Sequence, residues 1–262
     1  MPPNPFKGVE SASFLPTLLA NLFPLFGILR LDWRVVELFA IYWLEIGTGF
    51  LVYGVAALFA RLPVVLDGRS FYLPGVSPDT ERDQKWTRDS RPIDLPGSLP
   101  PIYPRNVRLI LWTLATGFAF LGIFLVEYPQ VVEVLRSPSL VLTAVGMILS
   151  DWYRLYREFF REGQYEEMSA HMVLEIPGRV LFFWVVYVLL LGSVGGFTLL
   201  FLVLFVRETV GGLVPDIDLV VLFAVALVVG KVAVEWSRFR VENETEPTGF
   251  ATWFLPENPR ER

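Results

Sequence analysis

The chain has 262 residues, 53% of them hydrophobic, with 22 phenylalanines and a formal net charge of −5. Its mean hydropathy is +0.50 and only 19% of its residues are charged, against ~25% in an ordinary soluble domain. The acidic balance argues against nucleic acid as a partner. The absence of cysteine removes disulfides, thiolate metal sites and thiol nucleophiles. With a single histidine, His171, multi-histidine metal centres are excluded too, and nothing in the sequence implies a cofactor.

Charge-poor blocks alternate with charge-rich connectors, the pattern of an all-α polytopic membrane protein. The N-terminal stretch carries one basic residue, Lys7, and no small-residue cleavage pattern, so its apolar run is expected to be retained. Only a helix satisfies its own backbone in hydrocarbon, and a span needs ~20 apolar residues. Six spans are predicted, at about 14–29, 36–60, 109–126, 140–150, 180–206 and 217–236. The first is short and holds Asn21, Pro16 and Pro24. The fourth is read as one helix from near Pro138 to Phe160, leaving the bilayer through an aromatic belt of Trp152, Tyr153 and Tyr156. The fifth would measure ~40 Å against a hydrocarbon core of ~30 Å. A single tilted or kinked helix is expected there, bending at "GSVGG" (192–196). Gly192 and Gly196 also form a G-x-x-x-G packing pattern.

The connectors set the organisation and orientation. Residues 1–60 form a transmembrane hairpin and 61–107 a Pro-rich, mixed-charge loop expected to be extended and solvated. Residues 108–236 carry spans three to six with a connector at 151–179, and 237–262 form a polar tail in which "FATWFL" could rest on the membrane surface. If the N-terminus is cytoplasmic, seventeen lysines and arginines fall inside and four outside, so both termini are predicted on the cytoplasmic side of the plasma membrane.

Glu45 interrupts span two within "YWLEIGTGF". An ionisable group at a helix centre costs ~2.5–3.5 kcal/mol on insertion scales, so it is expected to face the bundle interior. Thr48, Gly49 and Ala56 continue that face as a small, mildly polar stripe. Asn21 is the favoured partner, on the expectation that spans one and two are antiparallel neighbours. Lys231 is the alternative, although Glu235 at i+4 competes for it. Glu37 beside Arg34 reads as an interfacial charge. Asp151, Arg154, Arg157, Glu158 and Arg161 read as i,i+3 and i,i+4 pairs on an exposed helix. His171, in a polar connector, reads as a surface residue.

Certain stretches together resemble a prokaryotic family of integral membrane proteins known as a domain of unknown function. "LLANLFPLFGIL" (18–29) followed by "LFAIYWLEIGTGF" is similar to its LLANLxPLxGxL…LYWxEN motif. The resemblance singles out Asn21, Pro24, Tyr42, Trp43 and Glu45, with Ile46 where the motif has asparagine. It also singles out Arg179 in "IPGR" and Lys231, Glu235 and Arg238 in "GKVAVEWSRFR". It implies a membrane protein and supplies no activity.

The favoured reading is a structural or accessory multi-pass protein that binds the bilayer, a membrane partner or a second copy. A small proton- or ion-coupled transporter using Glu45 is the alternative. A membrane enzyme comes last, since catalytic groups are scarce.

Overall fold

The computed structural model describes residues 14–30, 33–76, 90–97, 99–127, 130–134, 138–210, 219–244 and 246–261. The described residues are helical, with isolated bridges but no strands. The helices are α1 (Leu15–Arg30), α2 (Val35–Ala57), α3 (Arg105–Glu127), α4 (Gln130–Val134), α5 (Pro138–Leu155), α6 (Ala170–Leu190), α7 (Gly196–Val210) and α8 (Leu219–Asn243). Among the described residues, four stretches are long and apolar enough to cross a membrane: Val35–Ala57, Arg105–Ile123, Ala170–Val206 and Leu219–Val241. The expected first span is helical, but its 16 residues rise only ~24 Å, short of a ~30 Å core. The expected fourth begins at Pro138 and runs 18 residues into the polar turn "DWYRL", which dilutes its apolar length. It continues through a π turn, Tyr156–Arg161, so one rod extends past the apolar part, with Trp152, Tyr153 and Tyr156 exposed.

The long fifth segment is continuous. A π turn at Leu191–Gly195 joins α6 to α7, adding a residue to one turn at "LGSVG" rather than breaking the rod. A Cβ placed on Gly192 would meet nothing within 4 Å, so within this chain these glycines mark the π turn and not a helix contact. The mixed-charge run inside 77–89 lies outside the described residues, as do the side chains of Asp151, Arg154 and Glu158.

Helix α2 is the hub, packing against α3, α4, α5 and α6. Its close approach to α3 uses small residues: a Cβ on Gly54 would sit 3.3 Å from Leu114, and one on Gly117 3.3 Å from Phe50. Gly49 is not part of this face; nothing lies within 4 Å of its Cβ position. Helix α1 packs chiefly on α8, where Phe14 meets Trp236 at a ring distance of 4.9 Å, and touches α2 only slightly.

The segment following α2 is irregular, as its composition suggests, but it is not a solvated linker. Val64, Leu66, Arg69, Phe71, Leu73 and Val76 are buried in the core shared by α2, α3 and α6. Leu73 abuts Gly178 of α6, while Trp112 and Thr116 of α3 donate to the carbonyls of Gly75 and Pro74 at 2.7 and 3.1 Å. Irregular backbone beside a span is tolerable because its carbonyls find such donors. Asn106 closes the junction, its amide donating at 2.8 and 2.9 Å to the carbonyls of Ala57, at the end of α2, and Ala60, just beyond it. The C-terminal segment also folds back. A 3₁₀ turn, Gly249–Phe254, packs on α8 and α6 and buries Ala251 and Phe254.

Candidate functional site

The described polar groups converge at two places. The first lies at mid-helix: Glu45 is the eleventh of 23 residues in α2 and Lys231 the thirteenth of 25 in α8. The Lys231 ammonium donates to Glu45 and, at 2.5 Å, to Glu235 one turn along α8. Arg238 reaches Glu235 from one turn further, at 3.4 Å. The four groups form a chain of alternating sign, two carboxylates and two cations. Lys231 is 3% exposed and Glu45 29%, so the cation is sealed while one carboxylate keeps an open edge.

Asn21 does not supply the expected partner. It donates at 2.8 Å to the carbonyl of Thr17 in its own helix, because α1 lies on α8 and not along α2. Thr48 likewise donates locally, to the Glu45 carbonyl at 3.0 Å. Tyr42 packs on Trp184 at 5.3 Å, with its buried hydroxyl unbonded among the described residues. Trp43 ties α2 to α3 by donating to the Leu121 carbonyl at 2.9 Å. Pro24 is buried inside α1. Glu37 pairs with Arg34 at 3.1 Å on the surface.

The second cluster sits at the start of α6 and was largely missed by sequence reasoning. Glu175, fully buried, accepts from Arg69 at 2.9 Å and from Arg179 through Nε at 2.8 Å and Nη2 at 2.5 Å. It also accepts the backbone N–H of Glu257 at 3.1 Å. The Glu257 carboxylate in turn accepts from Arg179 at 3.2 Å, from the Ser70 N–H at 2.8 Å and from the Ser70 hydroxyl. Arg69 further donates to the carbonyls of Val65 and Glu257, and Arg179 to that of Trp253. Arg179 lies over the rings of Phe71 and Trp253, 4.8 and 5.0 Å from their centroids. Burial pushes the Arg69 guanidinium below its ordinary value, and Glu175 and Glu257 oppose that push.

His171 belongs to this cluster and is not a surface residue. It is fully buried one turn before Glu175, with Nδ1 3.5 Å from that carboxylate, and neither ring nitrogen makes a hydrogen bond among the described residues. The connector reading failed because α6 begins at Ala170, capped by Ser169, ten residues before the apolar run. Of this cluster the sequence motifs point only to Arg179, and His171 is named there only as a surface residue. Glu175 and Arg179 at i,i+4 in "EIPGR" were the available signal; Arg69 and Glu257 carried none, their meeting being set by long-range packing.

Among the described residues no group of three metal-ligating side chains forms a metal site. The profile of a family of unknown function (DUF6498) matches residues 5–81, a stretch containing Asn21, Pro24, Tyr42, Trp43 and Glu45. No curated protein and no solved structure matches the chain.

Proposed function

We propose that the chain is a multi-pass protein of the cytoplasmic membrane with both termini inside, acting as a structural or accessory component that binds a membrane partner or lipid. The observation carrying this reading is the Glu45–Lys231–Glu235–Arg238 chain. A carrier needs a group free to exchange partners, whereas here each charge is held by a neighbour of opposite sign. Lys231 thereby fastens α2 to α8 at mid-helix, where a mismatched charge would be costly. The apolar faces of α6 and α7, with Phe182, Phe197 and Phe201 exposed, are left for the bilayer or a second copy.

One observation favours the alternative of a proton-coupled permease: Glu45 keeps an open edge, and the space beside Gly49 on the next turn is empty. Flux measured in proteoliposomes separates the two. The accessory reading expects no proton- or ion-driven flux from either the natural chain or Glu45→Gln. Proton-dependent flux that Glu45→Gln abolishes while folding is retained would overturn it.

A further inference from the structure

A carboxylate from the far end of the chain fills a receptor that the rest of the protein builds. The donors are the Arg179 guanidinium, the Ser70 N–H and the Ser70 hydroxyl, all converging on the Glu257 carboxylate. Behind them Arg69 and Arg179 bring two positive charges and Glu175 one negative charge, all buried. Without Glu257 the receptor keeps one uncompensated buried cation, a strongly disfavoured state that an anion must relieve. Glu257 itself is 13% exposed and Ser70 is exposed, so the receptor opens at the surface.

Two features identify the anion and allow exchange. Arg179 immediately precedes the apolar run of α6, which places the receptor at the bilayer boundary on the face that the lysine and arginine count puts inside. Beside it Phe71 and the exposed Phe182, 6.2 Å apart, form an aromatic wall that stays in place when the turn bearing Trp253 leaves. Cationic donors against an aromatic wall at this depth match a phosphate head and the upper part of an acyl chain. The segment bearing Glu257 consists of two short 3₁₀ turns, Gly249–Phe254 and Pro259–Glu261, held by docking rather than by a cooperative helix.

We infer that Arg179, Ser70 and Arg69 form a site for the phosphate group of an anionic phospholipid, which the C-terminal segment occupies through Glu257 and releases when lipid binds. The inference rests on the membrane placement above but not on the α2–α8 pairing. Its chemistry is recognition of a phosphate monoester, so the lipid meant is phosphatidic acid, whose phosphate is a monoester, and the bilayer is the assigned source.

The test uses the full chain in phosphatidylcholine nanodiscs titrated with phosphatidic acid. Thr252→Cys, in a chain without other cysteine, carries a fluorophore on the exposed face of the docked turn. Phosphatidic acid should release the labelled turn. Glu257→Gln should lower the lipid needed by about tenfold, the weight of one charge-assisted hydrogen bond. In the Glu257→Gln background, Ser70→Ala and Arg179→Lys should each raise the requirement again. No response to phosphatidic acid in either the natural chain or Glu257→Gln overturns the inference. Release by inorganic phosphate alone, in pure phosphatidylcholine, overturns the lipid source. A failed lipid response leaves the α2–α8 pairing untouched, since that is read from unfolding of Glu45 and Lys231 variants.

Discussion

Removing either end of the Glu45–Lys231 pair tests whether α2 and α8 are fastened by charge. For a pair buried in a soluble core, loss of one partner costs about 3–5 kcal/mol. That figure is too large here, for a reason visible in the structure. When the two helices separate within the bilayer, Lys231 keeps Glu235 on its own helix at i+4, so only the Glu45 contact is lost. Interhelical polar contacts in membranes average about 0.6 kcal/mol and reach about 1.7 in double-mutant cycles. Glu45 keeps an open edge while Lys231 has none, which moderates the desolvation on one side only. A cycle of Glu45→Gln, Lys231→Met and the double variant should therefore give a coupling of about 1–1.5 kcal/mol. Lys231→Met alone should cost more than Glu45→Gln, because it leaves two carboxylates facing each other with no cation between them, Arg238 reaching only Glu235 at 3.4 Å. The assay is reversible unfolding in bicelles, following the protection of α8 from α2. A coupling indistinguishable from zero, or Glu45→Gln costing more than Lys231→Met, would refute the fastening.

Four further outcomes follow from the same packing and hydrogen bonding. Gly75→Ala should destabilise by about 2–3 kcal/mol in thermal unfolding, since φ is +74° and the new Cβ would overlap the Trp112 indole; Gly68→Ala, with the same φ and open space, should cost about 1. Asn106→Ala should cost about 1–3 kcal/mol by stripping donors from two carbonyls at and just beyond the end of α2, and Asn106→Asp should cost more by turning a carboxylate on them. His171→Leu should be neutral or stabilising, because it replaces a buried ring with two unbonded nitrogens by an apolar group of similar size. Glu244, held below its ordinary range by hydrogen bonding from Arg240, contributes above its unfolded pKa and loses that contribution as pH falls through its folded one. The pair is half-exposed, so high salt should weaken the pH dependence seen by comparing Glu244→Gln.

The helices were legible in the sequence because each is written locally. The run from Val35 needs no other part of the chain to declare itself, and Pro138 marks the start of α5 by its fixed φ and absent donor. Neighbours were not legible. A short connection between α1 and α2 suggests that they pair, yet α1 buries its contacts against α8, a preference set by Phe14, Trp236 and Phe239 across more than two hundred residues. The error about Asn21 is a consequence of that one misassigned neighbour. Lys231 could be placed by depth along its helix, since two mid-helix charges of opposite sign leave few other ways to avoid lipid.

The irregular segments were misread for a related reason. Proline, glycine and mixed charge in 61–107 and in the tail describe how a backbone bends, not whether its side chains are buried. Val64, Leu66, Phe71 and Leu73 alternate with turn residues too closely for any helical or strand period to show, yet they fill the space at the start of α6. Burying such segments is possible only if their polar groups are matched, and the matching explains the otherwise odd concentration of charge around Glu175. Arg69 arrives with the first segment, Glu257 with the last, and Arg179 from the helix both of them cover. Neither segment could dock alone without leaving an arginine or a glutamate buried and uncompensated. The two therefore close together over α6, and an anion able to stand in for Glu257 would release the tail while leaving the loop in place.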